Sequence, residues 1–296
     1  MTLEDQVLLE NINLEVSKNE IHAIMGPKQS GKSHLALSLL GNPNFSFKDG
    51  NIYFKRKSFS HKSIDKRNIA GVYVSFQTPP SIYGVSNFEL DKLSLKSHKK
   101  EKLLNALEEK YRALCKKLGL PKDHGDKVIN NELMSEGDYR KNEILQMLLI
   151  EPQLVVLDEI EIGLEDEEVI SLAKIIKEFI SKKSRSAIII SQNKQLLDIL
   201  NPTHVHVMVN NTIKEKGSKE WNDLYDRYKM AGGQTGYKDQ FAKTEKQADI
   251  IQREMEYLDR GNVKKTVDAI GGLLSDYNDA MENAVRLRSE EHTSEL

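Results

Sequence analysis

At 296 residues, with 39% hydrophobic and 30% charged positions and a formal net charge of −2, the chain has the composition of a globular protein of one large or two smaller domains. The charge is too near neutral to point to nucleic acid, no apolar run approaches the ~18 residues of a membrane span, and Met1-Thr2-Leu3-Glu4-Asp5 lacks the basic start and apolar stretch of a secretory signal. The single Cys115 can form no internal disulfide and by itself holds neither a zinc ion nor a cluster, so a reduced, cytoplasmic setting without membrane insertion is expected.

In chain order, Leu14-Glu15-Val16 and the residues before it alternate as a strand, and Glu20-Ile21-His22-Ala23-Ile24-Met25 reads as a buried one. The run that follows, Gly26-Pro27-Lys28-Gln29-Ser30-Gly31-Lys32-Ser33, fits G-x-x-x-x-G-K-[ST] and leads through His34 into the helical run Leu35–Leu40. Strand, glycine-bearing loop and helix in that order form a phosphate cradle. Backbone N–H groups of the loop face nucleotide phosphates, Lys32 reaches the β- and γ-phosphates, and the Ser33 hydroxyl ligates Mg²⁺.

Further strands are expected at 51–54 and 71–76, followed by a helix over 101–118 whose apolar positions Leu103, Leu104, Leu107, Tyr111, Leu114 and Leu118 recur at helical spacing. The lysines between them form a solvated face. Ser135-Glu136-Gly137-Asp138 opens another helix, and Leu154–Leu157 is a wholly apolar strand ending in Asp158-Glu159. Asp158 can hold Mg²⁺, and Glu159 can orient and polarise the water that attacks the γ-phosphate. Gln77, just past the strand 71–76, is placed to reach the cation or that water. A helix over 169–179 and the strand 187–190 complete an α/β pattern with a parallel sheet covered on both faces. Val205–Val209 and Thr212–Lys214 read as a hairpin across Asn210-Asn211, which makes the sheet mixed. Past Lys229, Gly232-Gly233-Gln234-Thr235-Gly236 is a linker and two helical stretches follow.

The order of these parts resembles the ATP-binding-cassette ATPases, and within them the SufC family of the iron–sulfur cluster assembly system. The resemblance rests on His22–Pro27, on Phe76-Gln77-Thr78-Pro79-Pro80 with Gly84-Val85-Ser86-Asn87, on Asn142-Glu143-Ile144-Leu145-Gln146-Met147, and on Pro202-Thr203-His204-Val205-His206-Val207, and spans about residues 2–225. It implies a P-loop NTPase of ABC type at 1–229 with a helical subdomain at about 88–150, an added helical tail at 230–287, ATP and Mg²⁺ as ligands, and an ATP-dependent homodimer. It also implies SufB- and SufD-like scaffold partners, which dock on the segment after Gln77 that includes Pro79, Pro80, Tyr83 and Val85. Residues 288–296 match the translation of a sequencing-library adapter and are set aside. A non-hydrolysing ATP-binding module and a transporter ATPase subunit are the competing readings.

Four departures from the family pattern affect chemistry, and the leading strand that lies near the adenine in relatives is mostly absent. Gln29 stands where the loop normally has Gly. The signature reads Met134-Ser135-Glu136-Gly137-Asp138, and by resemblance Ser135 and Gly137 face the nucleotide of the opposite protomer, where Glu136 sets a carboxylate beside phosphate. Gln192 replaces the His that contacts the γ-phosphate, and Glu165 replaces the Asp of the loop Ile162-Gly163-Leu164-Glu165. Binding is expected to outlast turnover.

Overall fold

The computed structural model describes residues 1–3, 6–75, 82–129, 134–182 and 184–217. The chain divides into two units, Met1–Tyr228 and Lys229–Leu296, and the described residues all belong to the first. Gln77, Pro79, Pro80, the tail at 230–287 and residues 288–296 lie outside them, as does the side chain of Tyr83.

The core is a six-stranded mixed sheet. Its strands are β1 (Ile21–Met25), β2 (Val72–Val74), β3 (Leu154–Asp158), β4 (Ser186–Ile190), β5 (His204–Val209) and β6 (Thr212–Gly217), in the order β6-β5-β1-β4-β3-β2. All neighbours are parallel except the β5–β6 hairpin. Asn210 and Asn211 both have positive φ, 49° and 65°, the backbone a tight hairpin turn demands.

Side chains alternate across the sheet and sort two cores. Ile21, Ala23 and Met25 share one face with Tyr73, Val155, Leu157, Ala187, Ile189, Val205 and Val207. Against this face pack α4 (Glu136–Ile150), α5 (Asp166–Ile180) and α6 (Lys194–Leu200), through such residues as Ile144, Leu145, Ile176 and Leu196. Ile24, Val72, Val74, Val156, Ile188, Ile190 and Met208 turn to the other face, where α1 (Lys32–Leu40) buries Leu35 and Ala36. In α5 the apolar positions Val169, Leu172, Ala173, Ile176 and Ile180 make one stripe, and Asp166, Glu167 and Glu168 in its first turn complement the helix dipole.

Two elements differ from the sequence reading. Residues 14–16 form no strand; the segment from Leu8 to Glu20 carries no regular structure, and its apolar residues Leu9, Ile12, Leu14 and Val16 pack against the core as single side chains. Alternation here reports burial without strand pairing. The helix expected over 101–118 is broken, into Glu101–Leu104 and α3 (Leu107–Leu118), at Asn105-Ala106.

Between β2 and β3 lie α2 (Asn87–Ser97), α3 and α4, joined through a buried polar knot. Asn87 Nδ2 donates to the carbonyl oxygens of His124 and Lys127 at 3.0 and 3.1 Å; Asn142 Nδ2 donates to Asn87 Oδ1 at 3.2 Å, and Asn142 Oδ1 lies 2.8 Å from His124 Nε2. All three side chains are buried, so removing one strands the others without water. Asn142→Ala is therefore expected to lower the unfolding free energy by about 1–3 kcal/mol, read from the denaturation midpoint in urea.

Candidate nucleotide site

The three sequence segments with phosphate chemistry meet at the C-terminal ends of β1, β3 and β4, the edge of a parallel sheet at which ligands bind in such folds. Left-handed or near-left-handed backbone shapes the phosphate loop: φ is 156° at Gly26, 63° at Gln29 and 97° at Gly31. At Gly26 a side chain would also run into the Met208 carbonyl oxygen, 2.2 Å from a Cβ built there. Gln29 thus occupies a left-handed conformation that costs a non-glycine residue about 1–2 kcal/mol. The neighbouring Lys28 is exposed like Gln29, Pro27 and His34 are half-buried, and Ser30 is buried.

Lys32 is 6% exposed and points into its own loop, where Nζ donates to the carbonyl oxygens of Gly26 and Pro27, both at 2.8 Å. Burial lowers its pKa, while the nearby carboxylates Glu159 and Asp158 act in the opposite sense. Gln192, at the end of β4, donates its Nε2 to the same Gly26 oxygen at 2.8 Å. Two side chains, one from the start of α1 and one from just past β4, therefore converge on one loop carbonyl. Asn211, at the hairpin tip, donates its N–H to the Ser30 carbonyl oxygen at 3.1 Å, and its side chain crowds the place of a Cβ on Gly31, with Oδ1 3.0 Å from that position.

Asp158 ends β3, 2% exposed, with its N–H donated to Ser75 Oγ at 2.8 Å and its carboxylate hydrogen-bonded to the Ser33 hydroxyl. Its Oδ1 is buried without a hydrogen-bond partner. An unsatisfied carboxylate oxygen beside a hydroxyl is a donor set suited to a hard divalent cation, so Ser33 and Asp158 fit Mg²⁺, which would neutralise charge on bound phosphates. Burial, with help from Glu159, raises the Asp158 pKa from 3.8 to about 6, against the opposing pull of Ser33, Lys32 and Arg140. Glu159 follows in left-handed backbone, φ 49°, its N–H donated to the Ile190 oxygen at 2.9 Å.

The sequence reading passed over Glu161. Its carboxylate accepts a short hydrogen bond from Ser191 Oγ, leaves Oε2 buried without a partner, and is raised in pKa by burial. A polar residue two positions past Glu159 was its only signal.

The signature segment has a structural role within the chain. Ser135 caps α4, its Oγ accepting the Asp138 N–H at 3.1 Å. Gly137 is buried against the loop after β3: a Cβ there would lie 2.6 Å from the Gly163 oxygen, and one on Gly163 would lie 2.7 Å from Glu136 Cβ. Glu136 itself is exposed. Glu165 sits at the N-cap of α5, with its N–H donated to Glu168 Oε2 at 3.1 Å.

A carboxyl with a raised pKa binds cations only once its proton is gone. As pH falls through about 6, Asp158 takes up a proton, and the gain in ATP affinity conferred by Mg²⁺ should fade. Asp158→Asn removes this contribution at every pH and subtracts the titration of ATP itself. Calorimetry at several pH values should show the two proteins converging below about 6 and diverging above it.

The profile of the ABC transporter family matches residues 9–161. The chain is 37% identical over 217 residues to the probable ATP-dependent transporter ycf16 of Cyanophora paradoxa, covering 72% of this chain and 83% of that protein. It is 32% identical over 234 residues to ABC transporter I family member 6, chloroplastic, of Arabidopsis thaliana, covering 77% of this chain and 69% of that one. Among solved structures it is similar to a nucleotide-free ATP-binding cassette from an ABC transporter, with TM-score 0.57 and 24% identity, covering 73% of this chain and 87% of that one. It is also similar to a dimeric cassette in a post-hydrolysis state bound to ADP and Pi, with TM-score 0.60 and 16% identity, covering 72% and 91%. The structural likenesses speak for the fold, and the profile and curated relatives carry the assignment: the chain belongs to the ATP-binding-cassette family and is an ABC-type ATPase.

Proposed function

We propose that this chain is a SufC-like ATPase, which binds Mg·ATP through Lys32, Ser33 and Asp158 and drives conformational change in SufB- and SufD-like scaffold proteins during iron–sulfur cluster assembly. One observation carries the reading beyond the general family. The two runs that most specifically resemble SufC, Gly84-Val85-Ser86-Asn87 and Asn142–Met147, are not scattered matches but are joined by the Asn142–Asn87 hydrogen bond inside the polar knot. Val85 and Ser86 lie immediately before α2 on this framework, at the end of the strand Ile82–Ser86, and Val85 belongs to the segment taken for partner docking. Cys115 is buried and its thiol is raised by burial to about 11, which makes it a poor cluster ligand, so ligands come from the partners.

Turnover in this reading is reduced rather than abolished. Glu159 orients the lytic water, with Gln77 assisting at the cation. Gln192 can donate a hydrogen bond to the γ-phosphate but carries neither a proton to give nor a positive charge, and its amide is already engaged by the Gly26 carbonyl. Across an ATP-dependent homodimer, Glu136 would bring negative charge toward the partner's phosphates beside Ser135 and Gly137. Loss of one such stabilising group costs roughly 10²–10³ in rate.

Steady-state phosphate release should therefore be slow for the native chain and rise at least about tenfold, 1.4 kcal/mol, for Gln192→His combined with Glu136→Gly. Adding Glu159→Gln should abolish the gain. Brisk native hydrolysis, or no rescue, would show that other departures control the rate.

Partner binding has its own measure. Co-purification with a SufB–SufD-type scaffold should strengthen with ATP and be lost in a folded Tyr83→Asp variant. Retention of the complex by that variant would place the docking surface elsewhere, and failure of the native chain to bind a scaffold at all would remove the SufC assignment while leaving the ATPase intact.

A further inference from the structure

At the opposite ends of the same strands lies a second cluster of chemistry-bearing side chains. β1 begins beside Glu20, β5 begins at His204, and the two strands pair in parallel with His204 opposite His22. The distance from His22 to the phosphate loop is the length of β1, about 13 Å at the rise of an extended strand. His22 is 2% exposed, while Glu20 and His204 are half-buried at the rim. The His22 and His204 rings lie 4.4 Å apart between centroids, tilted by 31°, and His22 Nε2 is 2.9 Å from Glu20 Oε2. One ligand atom from each of the three residues falls within 4.8 Å of the others, the one such His/Cys/Asp/Glu group among the described residues.

We propose that Glu20, His22 and His204 form a binding site for a single divalent transition-metal ion of the zinc class. Two imidazoles and one carboxylate are a recurrent zinc donor set, and a fourth position open to water fits the exposure of Glu20 and His204. The surroundings set up the donors. Thr203 Oγ1 donates to the Ile21 carbonyl oxygen at 3.0 Å, so its contact with His204 Nδ1, also 3.0 Å, is one in which the imidazole donates. That fixes the tautomer of His204 and leaves a lone pair on Nε2. His22 Nε2–H donates to the Glu20 carboxylate at 2.9 Å, so the neutral ring accepts at Nδ1 from His206 Nε2, 3.0 Å away; a bound ion would take the place of the Nε2 proton, and Nδ1 can then carry one toward His206. Glu20 is held in place by the Ser17 N–H, 2.6 Å from Oε2. Burial lowers the His22 pKa and favours the neutral ring that a metal needs; for Glu20, burial acts upward, but the hydrogen bonds from Ser17 and His22 outweigh it and keep the carboxylate ionised.

A hydrogen-bonded structural pair between Glu20 and His22 accounts for two of the three residues. It gives no reason for His204 to stack on that pair with its Nδ1 committed to Thr203. An ion bridging the three would staple the start of β5 to the start of β1, the strand that runs into the phosphate loop.

The test uses the full chain, freed of metal by a chelator, free of any polyhistidine sequence, and held in excess Mg²⁺ so that the Ser33–Asp158 position is not the site measured. Equilibrium dialysis against Zn²⁺ with elemental analysis should give one ion per chain, and the melting temperature should rise with Zn²⁺ concentration. His204→Gln and Glu20→Gln should each weaken binding at least tenfold. Failure to take up a stoichiometric ion, or undiminished binding in both folded variants, overturns the proposal. Should neither variant fold, X-ray absorption of the zinc-loaded native chain decides: two imidazoles and one carboxylate in the first coordination sphere are expected, and any other nitrogen count overturns the assignment.

Discussion

A lysine ammonium buried to 6% exposure has to be compensated, and the upper edge of the sheet is organised around that requirement. Lys32 meets it with two carbonyl oxygens of its own loop, and the carboxylates of Asp158 and Glu159 support its charge from the end of β3. Each of these partners sits where a parallel strand ends. The loop supplies the hydrogen bonds, and the order of strands in the sheet brings the carboxylates near. When phosphates arrive they compete with the Gly26 and Pro27 carbonyls for the same ammonium, so the loop exchanges internal hydrogen bonds for stronger charge-assisted ones instead of forming bonds from nothing.

The Gly26 carbonyl has a second donor, Gln192, and this makes the site unusual in electrostatic terms. A neutral amide there stiffens the loop without adding positive charge, while burial lifts the Asp158 carboxyl toward its neutral form and leaves Glu161 with a buried unsatisfied oxygen. Asp158, Glu159 and Glu161 gather there, with Lys32 and Arg140 as the cations that act on Asp158. A divalent ion held by Ser33 and Asp158 would add positive charge there and occupy the unsatisfied Asp158 oxygen.

Much of this was legible in the sequence. The phosphate loop, the apolar strands 154–157 and 187–190 and the hairpin at Asn210-Asn211 all follow from local patterns, because each is fixed by backbone geometry that only a few residue types satisfy. Segment 8–20 was not legible: its alternation of Leu, Ile and Val is that of a strand, yet those side chains insert singly into the core with no partner strand. The structural use of Gly137 was also hidden, since its need for glycine comes from Gly163, far along the chain, through a close approach that no local pattern encodes. Glu161 and the Glu20–His22–His204 group escaped for the same reason. Both are assembled by strand register.

Asn211 sits at the crossing of two otherwise separate parts. Its N–H holds the Ser30 carbonyl of the phosphate loop, its carbonyl accepts the Glu10 N–H at 3.0 Å, and its side chain bounds the space above Gly31. Mechanically it is a shared fulcrum: the irregular segment that follows residue 8 and the loop that grips phosphate pivot on the same hairpin tip. Strain imposed at either one is felt at the other through a single residue, so the stiffness of the nucleotide site is set partly by a stretch of chain that has no secondary structure of its own.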